Sequence, residues 1–546
     1  MRARRLNWLW VSLVSLSCIW LHGCAATTGA PCDSAACGPG ERCLVDGDGN
    51  TTCAATCTTS QSCGAEAPIC DDTIATCRQC AAGEDRRCRE RSASTPRCVG
   101  GQCVACVAPR GLPGESADCR SGSGPSATPI CDKSVCRACQ KHSECESGVC
   151  AKDHSGDELG NLQGTCVPIE QILVVDQDLC SRSGPVFCTP AQAFARLGPS
   201  SRYVLLRKSA QLSDFSGLVL GDVPAQVTRP VVIIGPLADH PPHRTTSLPA
   251  VAIGGIASQD GLTISHGKVL LEGLFVQGAK SGISCTNSDA NVQIVRSFFS
   301  GNATAVSASG GCQLTVAETW IGSGPAHTGF EGLPGNTRGI EIAASEFHII
   351  NTMFVDDGDY RQDALGGVRV RSLSSGTRRS TIVNSTFYQQ HGLVKGGKYL
   401  TSILCDGLVG DRLVIFNSLF FGDQPLLTSP EEHYLDPACG SQLYNLGSND
   451  STLTSNQSVV VPATASLFID APARDLRLIS GGAPERIAIG DGGLRSITVG
   501  TDLIAAPDSD LDGMPRGPGA AAGKDQTLMS PSLAIGAFEP IVKAAP

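Results

Sequence analysis

From Tyr203 onward the apolar residues fall into short, largely β-branched runs divided by glycine-rich turns. Among them are YVLLR, PVVIIGP, KVLLEGLFVQG, VQIVRSFFSGN, QLTVAETWIGS, FHIINTMFVDDG, STIVNSTFYQQHG and RLVIFNSLFFGD. Runs this short, rich in Val, Ile and Phe and bounded by Gly and Asp, predict strands rather than helices. The later runs share one pattern, aliphatic–x–polar–small–x–aromatic. Anchored on the polar residue it gives Glu272, Arg296, Glu318, Asn351, Asn384 and Asn417, spaced 24, 22, 33, 33 and 33 apart. A repeat of that period with no helix between strands predicts a β-solenoid. Just upstream, FCTPAQAFARL (187–197) predicts a short amphipathic helix opened by Thr189 or Pro190, capping the entry to the strands.

The N-terminal part is patterned by cysteine instead. Twenty of the 28 cysteines lie between Cys32 and Cys166, and they sort into five units of four. C-x2-C pairs at 77/80, 103/106 and 136/139 raise the question of zinc. Yet the segment holds one histidine, His142, and too few apolar residues for a core, so ten disulfides are expected and their connectivity stays open. Cys180 and Cys188 bracket a short loop. Cys285 and Cys312, then Cys405 and Cys439, stand at matching offsets from the anchor positions and predict two equivalent coil-to-coil disulfides.

The leader MRARRLNWLWVSLVSLSCIWLHGC has a basic start, an apolar run and small residues before Cys24, the order of a secretory signal peptide. Leu21, Gly23 and Cys24 resemble the bacterial lipobox, which implies lipidation of Cys24. Parity agrees, since anchoring at Cys24 and discarding Cys18 leaves 26 cysteines to pair. Ala25 after the cysteine implies, by the same resemblance, the outer membrane. Removing Arg2, Arg4 and Arg5 moves the net charge from −10 to −13, which argues against nucleic-acid binding. Any membrane attachment is expected through lipid alone, because no later run reaches the roughly 20 apolar residues of a spanning helix.

INTMF, VNSTF and FNSLF, with LEGLF, VRSFF and AETWI as weaker copies, resemble the I-x-N-x-x-F-x-x-N coil of the right-handed parallel β-helix, or pectate-lyase-like, family. The resemblance covers roughly 200–445. It implies a stacked ladder of Asn351, Asn384 and Asn417 and an internal stack of Phe354, Phe387 and Phe420. The cysteine-rich part resembles the stalks of bacterial surface lipoproteins. SLFIDAPARDLRLISGGAP, DLDGMPR and LAIGAFEP resemble, in degraded form, the region that closes the open end of surface β-helices, where bare edge strands would recruit other chains. The expected organisation is a signal peptide (1–23), a lipid-anchored linker (24–31), disulfide repeats (32–166), a connector and cap (167–199), the β-helix (200–445) and a closing region (446–546). The fold class is all-β.

The candidate chemistry sits in INTMFVDDGDYRQ (349–361). Counted from the ladder, Asp357, Gln390 and Asp423 fall level, with His391 at the edge of the column, and together they form a candidate ligand-binding patch. Asp357 with His391-Gly392 distantly resembles the DD and GHG elements of polygalacturonases, which implies Asp356, Asp357, His391, Lys395 and Arg361 as catalytic candidates. The NxD and RxK elements of that family are missing, so no catalytic residue is assigned. Asp and Gly also simply favour turns, and a stack of them needs no function. Asp508, Asp510 and Asp512 resemble a calcium loop, but Gly519 stands where its bidentate glutamate belongs. No cofactor is expected, and calcium is the one cation these strings could take. Among three readings, the expected role is that of an outer-membrane or cell-surface lipoprotein, structural or adhesive, that binds polysaccharide or another surface partner without cleaving it. The alternatives are a polysaccharide lyase or glycoside hydrolase at Asp356–His391, and a stalk that itself binds a partner.

Overall fold

The computed structural model describes residues 37–45, 50–108, 112–119, 128–151, 164–180, 186–207, 213–220, 229–239, 251–357, 365–374, 379–389, 401–406 and 412–422, apart from 74, 216, 326 and 327, with short segments between 435 and 505. The chain divides into two units, 1–107 and 108–546.

In the first unit each set of four cysteines builds one small module. The bonds run first to third and second to fourth: Cys57–Cys70 with Cys63–Cys77, then Cys80–Cys98 with Cys88–Cys103. The third and fourth cysteines face each other across a hairpin of three-residue strands, Ile69–Asp71 with Thr76–Arg78 and Arg97–Val99 with Gln102–Val104. Around Cys57, Cys63, Cys70 and Cys77 the only apolar neighbour in the cluster is Ala67. The joint between these modules is pinned by Arg78, which follows Cys77 and forks onto Glu84 at 2.8 and 2.6 Å.

The second unit opens with two more modules, whose bonds include Cys119–Cys136, Cys139–Cys150 and Cys145–Cys166. The 136/139 joint repeats the pin, with Arg137 on Glu144 at 2.7 and 3.2 Å. From Ile172 to Val461 every pairing between strands among the described residues is parallel. Three sheets of eleven, ten and seven strands wind together, each central coil giving one strand to each sheet. This is a right-handed parallel β-helix, the hand that parallel crossovers take. Its first sheet runs from Val186–Phe187 and Ile172–Val175 through Tyr203–Leu206, Val231–Ile234, Gly267–Glu272, Ala290–Val295, Gln313–Ala317, Glu346–Ile350, Ser380–Val383 and Leu413–Phe416 to Ser441–Leu443.

Inside, alternate residues of each strand meet in columns. Leu271, Ile294, Val316, Ile349, Ile382 and Ile415 form one. Phe354, Phe387 and Phe420 form another, with ring centroids 4.5 and 4.9 Å apart and planes within 8°. Trp320 belongs instead to the outer side of the second sheet, in line with Phe298 and buried, its indole N–H donating to Ser323 O at 2.8 Å. Cys285–Cys312 and Cys405–Cys439 join neighbouring coils within the core, and Cys180–Cys188 closes a loop ahead of it. The helix Pro190–Phe194 carries a capping box, with Thr189 Oγ1 accepting the Gln192 N–H and Gln192 Oε1 accepting the Thr189 N–H. Ala193 on this helix joins the core cluster.

The turn from the first sheet to the second needs a left-handed residue. Asn351, Asn384 and Asn417 have φ of 50°, 49° and 50°, a region asparagine tolerates better than most. Arg296 and Glu318 hold the same place at 52° and 49°. The register corrects one anchor. Glu272 pairs with Val295, so Gly273, at φ 68°, is the turn residue of that coil and Glu272 ends the strand before it.

The last disulfide module is docked on the outer face of the first coils. Val149, Ala151 and Val167 pack with Ile172, Val174, Tyr203, Leu205, Val232, Ile234 and Leu270. Asp239 accepts the backbone N–H groups of His142 and Ser143 at 2.6 and 2.7 Å. Its carboxylate pKa is lowered by these hydrogen bonds, which outweigh its own burial. The His142 ring is buried, with Nδ1 accepting the Cys150 N–H at 3.1 Å and Nε2 lying 3.1 Å from Glu272 Oε2. Glu272, 1% exposed, also lies 3.6 Å from Arg296, which bonds Glu318 at 2.8 Å. This module is therefore part of the solenoid's cover, and not only of the stalk that the cysteine-rich segment resembles.

Candidate functional site

The acids that the sequence puts forward do not share one environment. Asp356 sits at a left-handed turn, φ 52°, partly exposed, with its N–H on Tyr388 O at 3.0 Å. Asp357, one residue on, is 1% exposed. Its Oδ1 accepts both the backbone N–H and the side-chain Nδ2–H of Asn336, each at 2.9 Å. Burial pushes its pKa up to about 8, against the pull of these two hydrogen bonds. Asp357 is thus an inward member of a turn, not a solvated rung of a surface patch. Gln390, His391, Lys395, Arg361, Asp423, Cys24, Asp508, Asp510 and Asp512 lie outside the described residues.

Asp357 ends a ladder at the turn from the second sheet to the third. Asn302 Oδ1 accepts the Ala279 N–H at 3.0 Å, Asn336 Oδ1 accepts the Asn302 N–H at 3.0 Å, and Asp357 follows. The Asn302 and Asn336 side-chain N–H groups also donate to Val276 O and Phe299 O. Every rung satisfies a buried amide of the coil before it, which is what an irregular turn inside a solenoid must supply. Sequence reasoning placed such a ladder only at Asn351, Asn384 and Asn417. The available signal was the second asparagine of I-x-N-x-x-F-x-x-N, which Asn302 and Asp357 occupy six residues after Arg296 and Asn351.

The "small" residue of the repeat has a task too. Thr352 N–H donates to Ser385 Oγ and Ser385 N–H to Ser418 Oγ, at 3.3 and 3.4 Å. Each hydroxyl in turn donates to the carbonyl two residues back.

A half-exposed polar strip lies on the outer face of the first sheet. Register places Gln293, Thr315, His348 and Thr381 in one column, and Lys268, Asn291, Gln313 and Glu346 in the next. Asn291 Nδ2 donates to Gln313 Oε1 at 3.1 Å, His348 Nδ1 lies 2.9 Å from Thr381 Oγ1, and its Nε2 lies 3.4 Å from Glu346 Oε1. The face is apolar and covered at both ends, by the docked module over Leu270 and by burial of Val414 and Phe416. Between them stands a flat strip of amides, hydroxyls and imidazole, about 4.8 Å per rung. On the third sheet the arginines are spoken for, Arg369 by Asp406 at 3.1 Å and Arg371 by Glu341.

These stacked sheets and turn ladders define a parallel β-helix that carries a disulfide-knit module on its first coils. A family model described as "Family of unknown function (DUF8331)" matches residues 43–172, the disulfide modules and their junction. No curated protein matches the chain. Two solved structures resemble it in fold. "The complex structure of XylC with xylose" is 9% identical over 56% of this chain at a TM-score of 0.31, and the chain spans half of that protein's length. "Crystal structure of pectate lyase Pel9A" is 11% identical over 68% of this chain and 96% of its own, also at 0.31. The fold assignment rests on the strand pairing.

Proposed function

We propose that the protein is an exported surface lipoprotein, anchored at Cys24 in the outer membrane, whose β-helix binds polysaccharide without cleaving it. One observation carries this reading: the half-exposed polar strip of the first sheet. Amide, hydroxyl and imidazole groups both donate and accept hydrogen bonds, as sugar hydroxyls require. The parallel register repeats them along a line that a glycan chain can follow. The disulfide modules fit an oxidising compartment outside the cytosol. No helix among the described residues is long and apolar enough to cross a membrane.

The second reading, a lyase or hydrolase, draws support from Asp357. A carboxyl that keeps its proton to about pH 8 suits a general acid. Against it, that carboxyl is buried and already engaged by Asn336.

One experiment separates them. The protein is incubated with a panel of neutral and acidic polysaccharides, with and without calcium, while retention, ultraviolet absorbance and reducing ends are followed. The expected outcome is retention of at least one glycan, weakened about tenfold in Gln293→Ala/His348→Ala, with no new ends. Unsaturated products or new reducing ends that vanish in Asp357→Asn would replace this reading with the enzymatic one.

A further inference from the structure

Arg202 is 5% exposed and pairs with no carboxylate among the described residues. That is unusual for a side chain that cannot shed its charge, because a buried ion without a counter-charge is among the costliest features a fold can hold. Arg296, a half-buried guanidinium of the solenoid, is by contrast answered by Glu272 and Glu318.

What holds Arg202 is neutral. Its Nη1 donates to Pro230 O at 2.9 Å and its Nη2 to Tyr203 Oη at 2.7 Å. Its Cζ lies 4.5 Å from the centroid of the Tyr203 ring. A guanidinium has five N–H groups in a rigid fork, and these contacts use two. Burial keeps the Arg202 pKa below its ordinary value against the pull of Tyr203, and the like charge of Arg229 pushes the same way as burial. Arg229 is exposed, with no ion pair among the described residues.

The two arginines stand at one rim of the first sheet. Arg202 precedes Tyr203–Leu206 and Arg229 precedes Val231–Ile234, strands paired Tyr203 to Val232. The next strand, Gly267–Glu272, brings exposed Lys268 level with Pro230. Asp289, before Ala290–Val295, ends the basic run. Three cations therefore lie near one edge of successive coils, offset along the strands: Arg202 level with Val231, Lys268 with Pro230 and Arg229 one residue earlier, on a chain whose net charge is −10.

We propose that this rim is an anion site, which takes a carboxylate or sulfate group of an acidic polysaccharide on the Arg202 fork, with Arg229 as its outer charge. The proposal rests on the glycan-binding reading above and narrows it to acidic chains. Arginine forks match planar and tetrahedral oxyanions with paired N–H···O bonds, which a lysine cannot reproduce. Arg202 comes to the site already desolvated and held by Tyr203 and Pro230, so little ordering remains to be done on binding. Tyr203 positions the fork from beneath.

The test is calorimetric titration of the full-length exported protein with three oligosaccharides of equal length: a uronate, a sulfated chain and a neutral chain. Each is run against wild type, Arg229→Gln and Arg202→Lys. Arg229→Gln changes an exposed side chain, so its melting temperature stays that of wild type while acidic chains bind about tenfold more weakly. Arg202→Lys keeps the charge, loses the fork and binds more weakly still. The stronger of the uronate and sulfate arms identifies the anion. Wild-type affinity for acidic chains in both variants overturns the proposal, as does equal affinity of the wild type for the neutral chain. Binding of the neutral chain alone sinks this site and leaves the glycan-binding reading standing. Silence with all three chains sinks both.

Discussion

The module Cys57–Cys77 is 21 residues long and the coil that starts at Asn351 is 33, and neither has enough apolar surface to fold alone. The module closes on itself. Two disulfides cross a hairpin, and its interior is little more than the four cysteines and Ala67. The coil leaves both faces open and is completed by its neighbours. Phe354 needs Phe387, the Thr352 amide needs Ser385, and the Asn336 amide needs Asp357. Covalent closure makes each module an independent unit, whereas columnar stacking makes each coil a dependent one. Damage to a module should stay local, and damage to a coil should spread.

Reduction is the harshest way to break the comparison. With dithiothreitol at neutral pH, modules 57–103 are expected to become fully protease-sensitive, since native disulfides of small domains contribute about 2–5 kcal/mol each. The solenoid between 251 and 357, whose Cys285–Cys312 bond is buried, should stay protected under the same conditions. Limited proteolysis with mass spectrometry reads this directly, and equal cleavage of both regions would end the distinction.

Phe387→Ala comes next. It removes the middle ring of the stack and should cost about 3–5 kcal/mol. The loss should appear in denaturant unfolding of the whole solenoid as one shifted transition. A loss confined to hydrogen exchange of 380–389 would mean that coils fail one at a time.

Asp357 gives the finest probe. Its pKa is near 3.8 in an unfolded chain and is pushed up to about 8 in the fold. Below about pH 4 both states hold the proton and the stability contribution is complete. As pH rises from about 4 to 8 the unfolded state gives up a proton that the folded state keeps, so stability falls by at most about 1.4 kcal/mol per unit. Above about 8 the loss levels off. Asp357→Asn should flatten this slope, so its advantage over wild type grows across that window. Parallel stability curves for the two proteins would show that Asp357 is not held as the structure places it.

Much of the solenoid was legible because identical residues recur at identical steps. Asn351, Asn384 and Asn417 are 33 apart, and the phenylalanines three residues after each follow suit. Reading slipped where chemistry substitutes for identity. Gly273 fills a left-handed turn as well as asparagine does, so the polar Glu272 beside it drew the anchor one place too early. The second ladder was hidden by the insertion between Gly324 and Asn336, which breaks the count. Its last rung was disguised by company, since Asp356, Asp357 and Asp359 in a row look like a solvated turn. Only its place three residues after Phe354, where the repeat carries its second asparagine, marks the one that turns inward. The basic rim was harder still, because Arg202 and Arg229 meet only through the pairing of their strands.

The bond from Asp239 to the His142 backbone spans 97 residues. In a chain made from its N-terminus that module precedes Asp239, and the buried histidine must wait for the coils that cover it. Contacts of such separation close late, after their loop entropy has been met by shorter-range structure. The docked module is therefore a seal set on a solenoid already wound, and its failure to seat would leave the apolar face of Leu205, Ile234 and Leu270 bare at the moment the chain is most exposed to its neighbours.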